Sequence, residues 1–235
     1  MTRDEIMVAL KEFGNDQTKK IFLNHGAIEP FFGVKVGDLK TIQKKVKKNH
    51  DLSLELYETG NSDAMYLAGL IADEKQISKE ELQHWVENAY WYMLSEYTVA
   101  WITAESRFGM ELAVQWIESE NENICSAGWA TLSNLLALTP NESIDINQTQ
   151  AFMSRILNTI HTAPNRVRYT MNGFIISVGS YISELAEEAK EYGRKIGKVS
   201  VQMGNTSCKV PESVSYIEKV QKRSGIAKKK KKVRC

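Results

Sequence analysis

Apolar residues recur at intervals of three and four positions along almost the whole chain, and this spacing is the helical period. Only four prolines interrupt it. Thr2-Arg3-Asp4-Glu5 and Ser78-Lys79-Glu80-Glu81 fit the capping-box pattern, in which a hydroxyl and a carboxylate three residues later satisfy free N–H groups at a helix start. The pattern therefore predicts an all-α protein, with helices starting at these two boxes and further helices near residues 16–25, 36–49, 51–59, 62–73, 91–106, 108–119, 122–138, 147–162, 165–179, 182–196 and 211–223.

One stretch departs from the helical period. Residues 198–203 alternate between polar and apolar side chains and are bounded by Gly197 and Gly204. This pattern is typical of a short strand or an extended excursion. We expect at most one short extended segment there.

Faint internal similarity indicates how the helices are arranged. Gln83-His84-Trp85-Val86, Val114-Gln115-Trp116-Ile117 and Ser154-Arg155-Ile156-Leu157 occupy matching helix positions about 31 and 40 residues apart, each followed by a turn and a second apolar helix. A degenerate two-helix period is typical of HEAT-like repeats, in which each pair buries its apolar face against its neighbours. The sequence thus predicts a right-handed curved solenoid, an α-α superhelix, with one repeat domain over residues 1–225 and a basic tail over residues 226–235.

Composition excludes several classes of protein. A chain that is 43% hydrophobic and 25% charged is an ordinary soluble one, and nothing in it approaches a membrane span. Its three cysteines, Cys125, Cys208 and Cys235, are scattered, which argues against a disulfide framework or a zinc ribbon and favours a reducing cytoplasm. The histidines are isolated, and neither a phosphate loop nor a Gly-x-Ser-x-Gly motif is present. We therefore expect a cytoplasmic protein that uses no metal and no cofactor.

The net charge of +1 hides a strong segregation of charge. Residues 51–150 carry 3 basic and 17 acidic side chains, whereas residues 219–235 carry 9 basic side chains and no acidic one. A second basic cluster is formed by Lys40, Lys44, Lys45, Lys47 and Lys48. A terminal lysine run is typical of a solvated, mobile tail, and it also resembles the electrostatic footprint of a protein that binds a polyanion.

The aromatic stretch from Tyr90 to Trp101 holds the strongest candidate for chemistry. Tyr92 and Glu96 are four residues apart, so a helix places the ring and the carboxylate on one face. Such a face is often only part of a core. It can also stack against a nucleobase and stabilise positive charge that develops on its sugar.

Several stretches together resemble the DNA alkylation repair proteins, the HEAT-like-repeat alkylpurine DNA glycosylases. They are Gly33-Val34 with the basic helix from Asp38, Leu52–Tyr57 before Asn61-Ser62-Asp63-Ala64, the helix with Trp91 and Glu96, Tyr169–Ile176, and Cys208-Lys209-Val210-Pro211 with Tyr216-Ile217. The resemblance spans most of the chain. It implies a horseshoe of repeats that holds duplex DNA, and removal of cationic N3- or N7-alkylated purines.

The resemblance also implies site residues. Glu96 occupies the position of an aspartate in catalytic members, and Tyr92 and Phe174 occupy the positions of two tryptophans. The position of an arginine that binds the DNA backbone falls near Ser126. The longer arm of glutamate displaces the carboxylate by about 1.5 Å, and a misplacement of that order costs roughly 10²-fold in rate. DNA contacts are expected from Trp91, Lys40, Lys44, Lys47, Lys48, Arg166, Arg168, Lys228, Lys229, Lys230, Lys231, Lys232 and Arg234.

Three functions remain open at this point. The favoured one is a DNA-binding member of this family that recognises damaged or branched duplex DNA through its backbone, with weak or no glycosylase activity. The second is an active glycosylase in which Glu96 supplies the carboxylate. The third is a helical scaffold for a protein partner, since solenoids present extended concave surfaces.

Overall fold

The computed structural model describes residues 1–234, and Cys235 lies outside the described residues. Within residues 1–234 the chain forms helices and no β-strand. The elements are α1 (Arg3–Phe13), α2 (Asp16–Asn24), α3 (Val36–Val46), α4 (His50–Tyr57), α5 (Ser62–Ile71), α6 (Lys79–Glu87), a π-helix (Met93–Val99), α7 (Ala100–Glu105), α8 (Gly109–Trp116), α9 (Glu122–Leu138), α10 (Ile146–Thr159), α11 (Asn165–Tyr181), α12 (Ala186–Ile196) and α13 (Ser213–Ser224), with 3₁₀ turns at Asn141–Ser143 and Ser183–Leu185.

Local sequence signals set most of these boundaries. Both capping boxes are present, with Thr2 and Glu5 at the start of α1 and Ser78 and Glu81 at the start of α6. The all-α prediction is confirmed. The helix expected over residues 91–106 differs, because its first part is the π-helix Met93–Val99. Such wide turns are rare and often lie at functional sites.

The second helix of each pair lies in an inner row. Helix α5, the π-helix with α7, then α9 and α11 pack side by side in chain order. All ten residues of α5 are buried, whereas α6 and α10 bury only one face. Two large hydrophobic clusters fill most of the interior, and α8 and α9 contribute to both, while a small third cluster surrounds Trp91. The apolar interior therefore extends from one cluster into the next along the array.

An extended segment, residues 198–211, crosses the N-terminal ends of the inner helices; we call it the crossing segment. The side-chain amide of Asn165 donates to the carbonyl of Gln202 at 2.9 Å, and the amide N–H of Gln202 donates back at 2.7 Å. Beyond this point the N–H of Asn205 donates to the carbonyl of Asn24 at 2.8 Å. Gly204 has a φ of +70°, and a Cβ there would lie 2.1 Å from that carbonyl oxygen. The segment thus joins α11 to α2, and it is extended without being a strand.

The tail, residues 226–234, crosses the opposite ends of the inner helices in reverse order. Ala227 N–H donates to the carbonyl of Ser180 in α11, Lys230 N–H donates to that of Ala137 in α9, and Arg234 Nη1 donates to that of Ala72 after α5. The last carbonyls of a helix lack intrahelical partners and carry partial negative charge, so a basic segment is stabilised there. The expectation of a mobile, solvated tail is therefore wrong for this segment.

Candidate functional site

Glu96 lies in the π-helix, at the N-terminal end of the inner row. Its side chain is only 3% exposed and faces Arg166 in the first turn of α11. Arg166 donates from Nε to Oε1 at 2.7 Å and from Nη2 to Oε2. Both carboxylate oxygens are therefore bound by one guanidinium, in the bidentate geometry that suits arginine.

Two tyrosine rings enclose the same guanidinium. The Cζ atom of Arg166 lies 4.3 Å from the ring centroid of Tyr92 and 4.4 Å from that of Tyr169. Met203 of the crossing segment adds a sulfur 3.7 Å from Nη1. Aromatic faces attract cations, and a cation between two rings beside a carboxylate is strongly held. We call Glu96, Tyr92 and Tyr169 the cation cage, and Arg166 occupies it.

Burial governs the electrostatics of this pair. It raises the pKa of Glu96 to about 7, although the hydrogen bonds and charge of Arg166 oppose the rise. The nearby charge of Glu122 adds to the rise. Burial also raises the pKa of Tyr92, to about 12. The cage is thus an apolar environment in which the guanidinium is what favours the ionised carboxylate.

An open cavity of about 220 Å³ lies beside the cage. Its wall includes His25, Tyr90, Tyr92, Asn123, Asn165 and Met203. Arg166 belongs to this wall and Glu96 does not. A molecule in the cavity therefore meets the arginine and the tyrosines, while the carboxylate stays behind them.

The structure corrects the predicted place of Phe174 and leaves Trp91 mostly buried. Phe174 is 1% exposed and packs against Trp129, with ring centroids 5.6 Å apart, in the second hydrophobic cluster. It does not line the cavity with Tyr92. Trp91 is 6% exposed, and its indole N–H donates to the carbonyl of His25 at 3.2 Å. Phe174 is therefore committed to the interior, whereas Trp91, although mostly buried, also lines the cavity beside Tyr92.

The arginine of the site comes from an unexpected position. Ser126, where the resemblance places the arginine, is fully buried, and its hydroxyl donates to the carbonyl of Asn123. Arg166, which the sequence suggests as a phosphate contact, is the residue that reaches Glu96. One sequence signal could have found it: Asn123 and Asn165 lie at the starts of successive inner helices, so the residue after Asn165 lies at the same end of the row as Glu96.

The predicted lysine and arginine contacts other than Arg166 fall into three groups. Some are used within the protein: Lys48 bridges Asp73 and Glu74, Lys229 donates to the carbonyl of Leu136, and Arg234 pairs with Glu74 and Glu105. Arg168 is partly buried, and its Nε has no partner among the described residues. Within residues 1–234 the others make no ion pair, and all but the half-buried Lys40 are exposed: Lys40, Lys44, Lys47, Lys228, Lys230, Lys231 and Lys232.

Two absences apply to the described part of the chain. No group of three histidine, cysteine, aspartate or glutamate side chains lies close enough to hold a metal ion. None of the helices between residues 1 and 234 has both the length and the apolar composition needed to cross a membrane.

Comparisons with known proteins agree with the helical architecture. A family described as DNA alkylation repair enzyme matches residues 6–195. An uncharacterized protein of Listeria innocua is 37% identical over 229 residues, and one of Listeria monocytogenes is 36% identical over 230 residues; each alignment covers 95% of this chain and 99% of the relative.

A solved structure is similar over the full length of both chains, with a TM-score of 0.91 and 37% identity. It is described as a new family of proteins related to the HEAT-like repeat DNA glycosylases with affinity for branched DNA structures. This likeness confirms the predicted solenoid of HEAT-like repeats.

Proposed function

Because this chain belongs to the DNA alkylation repair family, we propose that it binds branched DNA through the phosphate backbone and does not excise bases. The observation that carries the proposal is the occupied cation cage. Affinity for branched DNA in the structurally similar family supports the choice of ligand.

Base excision needs a carboxylate that faces the sugar as positive charge develops on it. In this protein both oxygens of Glu96 already bind Arg166, and the two tyrosine rings stack on that guanidinium. A cationic base would have to displace the arginine from the cage. Leaving one partner of a buried ion pair alone costs about 3–5 kcal/mol. The protein's own cation thus competes with the substrate of a glycosylase.

DNA binding requires that the acidic middle of the chain does not repel the phosphates. The structure pairs several of these acidic groups with basic residues: Glu74 with Lys48, Glu105 with Arg234, and Glu118 with Arg155. Apart from the half-buried Lys40, the unpaired lysines of α3 and the tail remain exposed. Contacts between lysine and phosphate are independent of sequence and sensitive to salt, which suits recognition of DNA shape.

Electrophoretic shift assays test the binding half of the proposal. A four-way junction and a linear duplex of equal length are titrated with the protein at several salt concentrations. We expect tighter binding to the junction, with log Kd rising linearly with log salt. Equal affinity for the two DNAs contradicts recognition of branching. If the protein binds neither DNA at low salt, the proposed DNA binding is contradicted and a scaffold for a protein partner is favoured.

Release of free base tests the catalytic half. DNA carrying 7-methylguanine is incubated with the wild type, with Glu96→Gln and with no protein. We expect the same background release in all three. Release by the wild type that Glu96→Gln abolishes would instead establish the active glycosylase, with Glu96 as its carboxylate.

A further inference from the structure

The two basic clusters of the sequence meet in space. A cavity of about 430 Å³ lies between the end of α3 and the tail. Its wall includes Lys44, Lys47 and Lys48 from α3 and the residues that follow it, and Lys232 and Arg234 from the tail. Five cationic side chains from opposite ends of the chain thus surround one space.

Only some of these charges are neutralised. Lys48 binds Asp73 and Glu74, and Arg234 binds Glu74 and Glu105. The ammonium groups of Lys44, Lys47 and Lys232 have no acidic partner among residues 1–234. Like charges gathered around one cavity repel each other, and an anion in the cavity removes that cost.

Arg234 holds the tail at this place. Its side chain is 6% exposed and donates to Glu105 Oε2 at 2.8 Å, to Glu74 Oε2 at 2.6 Å and to the carbonyl of Ala72 at 2.7 Å. Glu105 also accepts the backbone N–H groups of Val233 and Arg234, at 2.8 and 3.1 Å. The guanidinium is therefore occupied by the protein itself. It fixes the position of Lys232, two residues earlier.

We propose that the docked tail and α3 form a phosphate-binding site for the DNA backbone, with Lys44, Lys47 and Lys232 as its contacts and Arg234 as a positioning residue. The inference rests on the proposed DNA binding and adds where the phosphates bind. Anchoring the tail at Arg234 holds the Lys232 ammonium at the cavity and avoids the entropic cost of ordering a free segment on binding.

The salt dependence of binding tests the contacts. Lys44→Gln with Lys47→Gln removes two of them, and Lys11→Gln with Lys219→Gln is a matched control, because those lysines are exposed, unpaired within the described chain and outside the cavity. Each lost phosphate contact lowers the slope of log affinity against log salt by about 0.9. We expect a slope lower by about 1.8 in the first double variant, with affinity at 0.1 M salt weaker by roughly tenfold or more, and little change in the control.

Variants of the anchor test the positioning role. We expect Arg234→Gln to weaken binding as much as Lys232→Gln does, and the double variant to bind no more weakly than Arg234→Gln alone, because an unanchored Lys232 has no contact left to lose. Hydrogen exchange at the Val233 amide should rise in Arg234→Gln and stay slow in Lys232→Gln. If Arg234 only stabilised the fold, Arg234→Gln would unfold at a lower urea concentration, and its DNA affinity would keep the salt dependence of the wild type.

Three outcomes overturn the inference. The first is that the wild type binds DNA, and the slope of log affinity against log salt is the same for Lys44→Gln with Lys47→Gln as for the control variant. Another is an Arg234→Gln variant with the wild-type slope. The third is binding of millimolar pyrophosphate at Lys44 and Lys47 without any effect on DNA affinity, which would assign the site to a small free anion. A wild type that binds no DNA contradicts the proposed function itself.

Discussion

Replacing Arg166 with glutamine would leave a buried carboxylate without its cation. Glu96 would keep one neighbouring charge, that of Glu122, which has the same sign. Removing one partner from a buried, hydrogen-bonded ion pair costs about 3–5 kcal/mol. We expect the free energy of unfolding of Arg166→Gln to fall by about this amount at a pH near 8.

The loss should depend on pH, and its sign follows from Glu96. Burial already raises the pKa of Glu96 from an ordinary 4.5 to about 7 with Arg166 present, and without the guanidinium it rises further. A group whose pKa is higher in the folded state stabilises the fold below its unfolded value, and that stability is lost as pH rises through the folded pKa. Relative to the wild type, Arg166→Gln should therefore be least destabilised below about pH 7, where Glu96 is largely protonated in both folded proteins, and should lose up to about 1.4 kcal/mol per pH unit above it.

Urea unfolding followed by tryptophan fluorescence at about pH 5 and about pH 8 measures this difference. The control is Glu96→Gln with Arg166→Gln, in which two neutral amides replace the pair. We expect the control to recover most of the stability lost at the higher pH and to show little of the extra pH dependence. Equal destabilisation of Arg166→Gln at both pH values, or no recovery in the control, would refute a role for the unpaired carboxylate.

Three further expectations follow from other contacts. Gly204→Ala should detach the crossing segment, because its Cβ would overlap the Asn24 carbonyl. Gly197→Ala has a similar φ of +68° and open space around it, so it should show only backbone strain, and hydrogen exchange at the Asn205 amide should rise in Gly204→Ala alone. Although burial raises the pKa of Glu74, hydrogen bonds from Lys48 and Arg234 lower it to about 2, so the ionised carboxylate should stabilise the docked tail above pH 4.5 and lose this effect as pH falls toward 2. Protection of the Val233 amide from hydrogen exchange should therefore fall in acid in the wild type and should not show this dependence in Glu74→Gln. Phe174→Ala should lower the free energy of unfolding by about 3–5 kcal/mol in a urea titration, as expected for a core phenylalanine. A much smaller loss would contradict the burial of Phe174 and favour a position on the cavity beside Tyr92.

Most of the secondary structure could be predicted because its signals are local. The hydroxyl of Thr2 and the carboxylate of Glu5 are neighbours in sequence and in space, and the same holds for Ser78 and Glu81. Apolar residues at helical spacing specify a buried stripe whatever the rest of the chain does. The predicted boundaries accordingly agree with the helices to within three residues, apart from the π-helix and the start of α12, which lies four residues after the predicted residue 182.

The candidate site could be predicted only in part. Tyr92 and Glu96 do lie together, because both belong to one helical segment. The roles of Phe174 and Arg166 depend on which face of α11 is covered by α9, and two turns of α11 separate these residues. Helical spacing places both residues on α11 and does not say which of them meets the neighbouring helix.

An all-α chain of repeated helix pairs, with basic ends and an acidic middle, can be read from neighbouring residues alone, since periodicity, caps and charge are local properties. Which charges meet depends instead on how the helices pack. Glu96 binds an arginine 70 residues away, and Glu74 binds one 160 residues away, at the end of the tail. Such pairs form because the stacking of helices brings distant segments to the same ends of the inner row, and burial then makes each charge select a partner of opposite sign.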